Sequence, residues 1–368
     1  MSIPYLSFEK INTDVRSELT PAFEKIIDSK WYILGESVKS FEQSYALFNK
    51  TQYCIGVANG LDALILSLKV LKIGQGDEVI VPSNTYIATW LAVSSVGATP
   101  IPVEPRINTY NINPDLIEEK ITPHTKAIMP VHLYGQACEM DALMRIAHKH
   151  CLYVIEDNAQ SQGATYNGKL TGSFGNINAT SYYPGKNLGA YGDGGAITTD
   201  DTDLDKRARM LRNYGSEKKY YNIEKGMNSR LDELQAALLS VKLKHLNLWN
   251  EERKRLAAIY DQELKGISDL ILPVTAVNAT HVYHIYSIRT SRRNELQEYL
   301  NSKEIGTLIH YPVPPHLQNA YYELGYNKGA FPNAELIAET CLSLPLYPGL
   351  QESDMHEIIN NIKYFFKQ

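Results

Sequence analysis

YCIGVANGLDALILSLKVLKIGQGDEVIVP, residues 53–82, is the stretch that sets the fold. It opens on a short β-rich run, YCIGVA (53–58), and passes through Asn59-Gly60. Leu61, Leu64, Ile65, Leu68 and Leu71 then recur at helical spacing. A second β-rich run, EVIVP (78–82), follows a glycine-containing turn. Strand, helix and strand in about 30 residues make a βαβ unit, the building block of a parallel sheet with helices on its faces.

Outward from this unit the alternation continues. A helical stretch over 85–96 is followed by TPIPVE, AIMPVHLYG, a helix over 140–150 and the strand LYVIED (152–157). INATSYY (177–183) and GGAITTD (194–200) bring the count to about seven strands, so the chain reads as α/β with a mostly parallel sheet. Past residue 200 the texture changes. Residues 229–265 contain neither proline nor glycine and predict one long helix or a bent pair, with Ser229 and Asp232 at its N-terminal cap. HVYHIYSIRT (281–290) reads as a strand, 294–303 as a helix, and a proline-rich HYPVPPHL (310–317) precedes a helical tail. We expect a large domain over 1–245 and a smaller α+β domain over 246–368.

The chain's 368 residues are enough to bury a large core. Hydrophobic residues at 44% and charged residues at 21% argue against a disordered or fibrous chain. A net charge of −5 supplies no basic field for nucleic acid. Cys54, Cys138, Cys151 and Cys341 lie far apart and read as buried free thiols rather than a disulfide or zinc framework. No apolar run approaches the roughly 18 residues that span a bilayer, and the N-terminus lacks a leader pattern, so a soluble cytoplasmic protein is expected with no membrane partner. Tyrosine is over-used: 25 against 8 Phe and 3 Trp. That excess suits a polar, aromatic-lined site without locating one.

Neither a P-loop nor a G-x-G-x-x-G turn after a strand is present, and the histidines make no HExxH. Polar groups instead gather at strand ends, where open α/β sheets bind ligands. LYVIED ends in Glu156-Asp157, followed by Asn158 and Gln160; taken alone, such a carboxylate caps a turn. In SYYPGKNLGAYGDGG (181–195), Pro184-Gly185 turns the chain and Lys186 projects from a loop that leads into Gly189, Gly192, Gly194 and Gly195. Taken alone, that lysine is a solvated charge. Asn59-Gly60-Leu61, taken alone, is an ordinary strand-to-helix turn. Together they offer a reactive amine, a carboxylate for a pyridinium nitrogen and a helix N-terminus for a phosphate, which are the protein parts that pyridoxal 5′-phosphate requires. Ser181 and Tyr183 are two apart on one predicted strand and share a face. Tyr86, read as just inside the helix, is placed to cover the ring.

At this point the sequence resembles the pyridoxal-phosphate-dependent nucleotide-sugar aminotransferases, of fold type I in the aspartate aminotransferase superfamily. The resemblance runs from WYILGESVKSFEQSYA (31–46) through ANGLDALILSLK, VIVPSNTYIAT, VIEDNAQSQGATYNGK, TSYYPGKNLGAYGDGGAI, RNYG and NSRLDELQAALL to HYPVPPHLQNAYY and LSLPLYPGL. It implies that Lys186 holds the cofactor through its amine, that Asp157 pairs with the ring nitrogen, and that Tyr86 stacks on the ring. Gln160 would lie near the opposite face or the 3-hydroxyl. The N–H groups of Gly60 and Leu61, with the Ser181 hydroxyl, would cup the phosphate, and Asn228 would reach it from a neighbouring subunit, making the protein a homodimer with a shared active site.

The same resemblance implies L-glutamate as amino donor, pyridoxamine 5′-phosphate as the second cofactor form and a nucleotide-linked keto sugar as acceptor. IGTLIHYPVPPHLQNAYYELGY (305–326) is similar to the enzymes that aminate C3 of dTDP-3-keto-6-deoxyhexoses, in the deoxyamino-sugar biosynthesis that feeds O-antigen and other polysaccharides; C4 amination is the alternative. Tyr183, His310 and Tyr311, with Tyr221 of the neighbouring subunit, become the expected sugar contacts. Sugar 3-dehydratases of the same family carry histidine where Lys186 stands, so the lysine argues for transamination. A non-catalytic nucleotide-sugar-binding protein would need the fold without the reactive set. A general amino-acid aminotransferase would need an arginine for a second carboxylate, and Arg212 and Arg230 stay open for that duty.

Overall fold

The structure is a computed structural model that describes residues 2–368. Seven strands form its main sheet: β1 (Tyr53–Val57), β2 (Glu78–Pro82), β3 (Thr99–Val103), β4 (Thr125–Ile128), β5 (Tyr153–Asp157), β6 (Ile177–Ser181) and β7 (Gly195–Thr199). Their spatial order is β1-β7-β6-β5-β4-β2-β3. β7 runs antiparallel to both its neighbours, while the five strands from β6 to β3 are parallel.

Both faces of this sheet are covered, which explains its near-continuous apolar strands. Val79 and Val81 face one core with Ile155 and Ile177, shared with the helices α3 and α4 described next, whereas Ile80, Ile128 and Val154 face the other. Helices α1 (Glu9–Ser29) and α2 (Glu36–Asn49) precede the sheet; α3 (Gly60–Val70), α4 (Ala88–Ser95) and α5 (Met140–Lys149) lie between its strands, and α6 (Thr202–Leu211) follows the last of them. Helices α7 (Glu233–Leu243) and α8 (Leu246–Glu263) follow, broken at Lys244 and His245, whose side chains both reach Glu18. A second core gathers α8, α9 (Arg293–Ser302), α11 (Glu352–Phe365) and an antiparallel pair, β8 (Tyr286–Arg289) and β9 (Cys341–Leu344). Helix α10 (Pro332–Thr340) leads directly into β9. Ile3 joins that second core through a bridge to Ile305, so this early residue packs with the last hundred of the chain.

Several expected boundaries move. The helix read over 85–96 starts at Ala88, because Asn84 donates to the Tyr110 carbonyl and the Thr85 hydroxyl pairs with Thr89; Tyr86 therefore lies ahead of the helix, in the loop. The helix read from Ser229 starts at Glu233. Extended backbone persists to Asp232, which bridges Ile33, and the Ser229 hydroxyl accepts from the Ala58 N–H instead of capping; Asp232 caps with no side-chain bond. β6 ends at Ser181, so Tyr183 is a loop residue. The strand read over 281–290 shrinks to β8, since Val282 and Ile285 spend their N–H groups on the carbonyls of Gly135 and Tyr134. Cys151 is exposed, whereas the other three thiols are buried and free. Among the described residues, no helix is long and apolar enough to cross a membrane, and no group of three His, Cys, Asp or Glu side chains is placed to hold a metal.

Candidate active site

The C-terminal ends of the parallel strands open into one cavity of about 830 Å³. Ten of the residues singled out in the sequence line it: Gly60, Leu61, Tyr86, Asp157, Gln160, Ser181, Tyr183, Lys186, His310 and Tyr311. Tyr221 and Asn228 do not. Tyr221 is 66% exposed on the short hairpin formed by Ser216–Lys218 and Tyr221–Asn222, and Asn228 is exposed beside its backbone bridge to Asn213.

Local sequence explains how Lys186 reaches the cavity. After β6 the chain doubles back: the Lys186 N–H bonds the Tyr183 carbonyl at 2.8 Å, and the Ala190 N–H bonds the Tyr182 carbonyl at 2.8 Å. That return requires glycine at 189, where a Cβ would sit 2.1 Å from the Pro184 carbonyl oxygen. Burial pushes the Lys186 amine down to about 8, against the opposing pull of the Asp157 carboxylate.

Asp157 ends β5 and is buried. Its Oδ1 accepts from the Ala159 N–H at 3.1 Å and its Oδ2 from the Thr89 hydroxyl at 3.0 Å. Burial raises its pKa; the two hydrogen bonds and the Lys186 charge work the other way. The adjacent Glu156 has the blander role. It accepts from the N–H groups of Gly172, Phe174 and Gly175 and from His132 Nε2, whose ring is oriented because Nδ1 accepts from the Cys138 N–H. One carboxylate of the pair holds a turn and the other faces the cavity.

The Asn59 side chain caps α3 by accepting from the Asp62 N–H at 2.8 Å, leaving the first amides of the helix at the cavity. A Cβ at Gly60 would lie 2.6 Å from Ser181 Cβ, so glycine here is what lets the helix N-terminus approach the end of β6. This cradle, one reactive amine and one buried carboxylate fit pyridoxal phosphate: amide and hydroxyl donors for the phosphate, Asp157 for the ring nitrogen, Lys186 for the aldehyde carbon.

On the opposite wall, burial lowers His310 to about 4 and keeps His284 well below its ordinary range, so both imidazoles are neutral near pH 7. His310 Nδ1 pairs with the Ser343 hydroxyl at 2.8 Å. Tyr86 and Tyr311 lie with ring centroids 5.1 Å apart. Sequence reasoning missed Thr89, Tyr5, Asp193 and His284 as cavity residues. Thr89 carried no signal beyond its turn of helix, and Tyr5 arrives from the far end of the chain. His284 lies in HVYH, whose pattern reads only as strand. Neither candidate arginine lines the cavity: Arg212 is buried against Glu42 and the Gly56 carbonyl, and Arg230 donates to Asn213 at 2.9 Å.

Residues 13–363 match the model of the DegT/DnrJ/EryC1/StrS aminotransferase family. The chain belongs to this family. A relative from Aneurinibacillus thermoaerophilus, dTDP-3-amino-3,6-dideoxy-alpha-D-galactopyranose transaminase, is 51% identical over 363 residues, covering 99% of each chain. Another from Streptomyces venezuelae, dTDP-3-amino-3,4,6-trideoxy-alpha-D-glucose transaminase, is 47% identical over 361 residues, 98% of this chain and 95% of that one. The crystal structure of S. venezuelae DesV in complex with a ketimine intermediate superposes with a TM-score of 0.98 at 46% identity, over 100% of this chain and 99% of the other. The seven-stranded mixed sheet is thus that of a fold type I aminotransferase, and the chain is an enzyme of that class.

Proposed function

We propose that this aminotransferase uses pyridoxal 5′-phosphate, cycling through pyridoxamine 5′-phosphate, to move an amino group from L-glutamate to the C3 ketone of a dTDP-3-keto-6-deoxyhexose. The products are a dTDP-3-amino-3,6-dideoxyhexose and 2-oxoglutarate. The observation that carries this reading is the meeting of the Lys186 amine, the buried Asp157 carboxylate and the Gly60 cradle in one cavity. The names of the two relatives, both dTDP-3-amino-sugar transaminases, support the choice of sugar and of C3.

The cofactor supplies an electron sink that lets nitrogen pass between the two substrates. Lys186 holds it and, once freed, moves the proton at the reacting carbon; an amine titrating at about 8 is suited to both giving and taking a proton near neutrality. Asp157 keeps the ring nitrogen protonated. The Gly60 and Leu61 amides and Ser181 orient the phosphate, and Tyr86 closes over the ring. Tyr183, His310 and Tyr311 form the sugar wall, whose hydroxyls and imidazole can donate to and accept from the hydroxyls of a sugar.

In this reading Asn228 and Tyr221 serve the cavity of a second copy, so the working form is a homodimer. Their exposure supports that role, as does the run Trp31, Tyr32 and Ile33, which is 63%, 56% and 44% exposed. The break at Lys244–His245 supports a division into domains at 245, and the free thiols suit a reducing cytoplasm.

Incubation with glutamate and a panel of dTDP- and UDP-linked keto sugars, followed by NMR of the products, tests the assignment. A new amine at C3 of the dTDP sugar is expected. An amine at C4, or nitrogen transfer only to 2-oxo acids, would overturn it.

A further inference from the structure

The hydrogen bonds behind the sugar wall fix which way one hydroxyl donates. Gln160 is buried at the turn after β5. Its Oε1 accepts from the backbone N–H of Tyr134 at 2.6 Å. A backbone N–H only donates, so the amide has one orientation and its NH₂ group points to the other partner, the Tyr311 hydroxyl, at 3.0 Å. An amide NH₂ also only donates. The Tyr311 oxygen is therefore an acceptor toward Gln160, and its own proton is left for another group. Among the described residues the Tyr311 hydroxyl makes no second hydrogen bond, and Tyr311 lines the cavity. The Tyr134 hydroxyl bonds the His310 carbonyl, which ties the peptide before Tyr311 to the same turn.

We propose that Gln160 is a positioning residue that commits Tyr311 to donate its hydroxyl proton to the ketone oxygen of the acceptor sugar. This rests on the keto-sugar reading above. A carbonyl oxygen only accepts, so a donor committed toward the cavity is the role the ketone requires, and a Tyr311 hydroxyl turned to accept could not hold it. The hydrogen bond draws electron density from the carbonyl carbon as the incoming amine approaches it; the oxygen leaves as water with the two protons given up by that amine, and Tyr311 keeps its own proton throughout. Once the oxygen has been replaced by an ammonium group, which only donates, nothing there accepts the Tyr311 proton, and the product is held less well than the substrate.

Gln160→Glu reverses the arrangement. A carboxylate accepts from the Tyr134 N–H and from the Tyr311 O–H, turning the phenolic proton away from the cavity. Two readouts test this in the cofactor-loaded dimer. In single-turnover measurements, Gln160→Glu and Tyr311→Phe should each slow the keto-sugar half-reaction at least 10-fold more than the glutamate half-reaction. In calorimetry on enzyme whose cofactor has been fixed to Lys186 by borohydride reduction, the affinity for the dTDP-amino sugar relative to dTDP alone should rise at least 5-fold in Gln160→Glu. That gain should vanish in the Gln160→Glu/Tyr311→Phe double variant. A gain that persists in the double variant reports the new charge alone and overturns the proposal, as does equal slowing of both half-reactions in Tyr311→Phe. A wild-type protein that fixes no cofactor or aminates no keto sugar would instead refute the function on which the proposal stands.

Discussion

Thr89 donates its hydroxyl proton to Oδ2 of Asp157 across 3.0 Å, joining the start of α4 to the end of β5 at the floor of the cavity. Because that proton is committed to a carboxylate, the 2.9 Å contact between the Thr85 and Thr89 hydroxyls has Thr85 as donor. The loop that presents Tyr86 is thus tied, through two hydroxyls, to the carboxylate proposed for the ring nitrogen.

Thr89→Val keeps the shape and deletes the donor. Without that donor the carboxylate is free to turn from the ring nitrogen, and cofactor affinity should fall by up to roughly 10- to 100-fold, the equivalent of one charge-assisted hydrogen bond of about 1.5–3 kcal/mol. Burial already raises Asp157 from its ordinary value, and losing Thr89 raises it further. The carboxylate then protonates earlier as pH falls, and cofactor binding should fail at a higher pH than in the wild type. Absorbance titrations with cofactor from pH 5 to 8 measure both effects. An affinity within twofold of wild type would show that this bond does not matter, and Thr89→Ser should recover most of the loss.

Gly60→Ala places a methyl 2.6 Å from Ser181 Cβ and 3.1 Å from its Cα. Backbone must move, which typically costs about 1–3 kcal/mol. The movement separates the first amides of α3 from Ser181, so a lower Tm should be accompanied by weaker cofactor binding and by weaker inhibition by inorganic phosphate in the cofactor-free protein. Loss of Tm with unchanged phosphate and cofactor affinity would mean that the close approach serves packing only.

Lys186→Met should stabilise the cofactor-free protein, and the gain should depend on pH. Burial lowers the amine to about 8 from an ordinary value of 10.5. Below pH 8 the amine is charged both folded and unfolded, and the folded chain bears the full cost of burying that charge. Between pH 8 and 10.5 the folded amine is neutral while the unfolded one still holds its proton, so the cost fades as pH rises. Calorimetry should therefore find the variant a few degrees more stable at pH 7 and nearly level with wild type at pH 10. A difference independent of pH would place the amine in water.

Much of this site was legible because its parts sit at strand ends in β-rich runs, and the order of those runs follows from periodicity alone. YCIGVANGL located both β1 and the cap of α3, and LYVIED located Asp157. Boundaries failed where side chains far away in sequence competed for the backbone. Asn84 spends its amide on Tyr110, and Ser229 spends its hydroxyl on Ala58, so neither helix begins where its pattern does. The helices α1 and α2 were not read as elements, and β9 was not anticipated, because CLSL is too short to announce a strand without Leu308 and β8 beside it. The division of labour between Glu156 and Asp157 needs the turn at 172–175, which local sequence does not place.

Arg212 decides the last alternative, a grip on a donor carboxylate. Glu42, buried in α2, accepts from Arg212 Nη1, from Arg209 Nη1 at 2.6 Å and from the Gly56 N–H at 2.8 Å, and Arg212 also donates to the Gly56 carbonyl at 2.7 Å. The guanidinium thus joins α2, β1 and α6 on the side of the sheet edge, away from the cavity lining. Removing one partner of a buried pair so that the other is left unpaired costs about 3–5 kcal/mol, which is the upper bound here. Arg212→Met should lower the urea midpoint by a corresponding amount, while the KM for glutamate at a temperature where the variant is folded stays within about threefold. A guanidinium that held substrate would do the opposite, raising KM tenfold or more with little change in the midpoint. Because Glu42 would still be held by Arg209 and Gly56, Arg212→Met should also cost less than Glu42→Ala, which leaves Arg212 buried without its carboxylate.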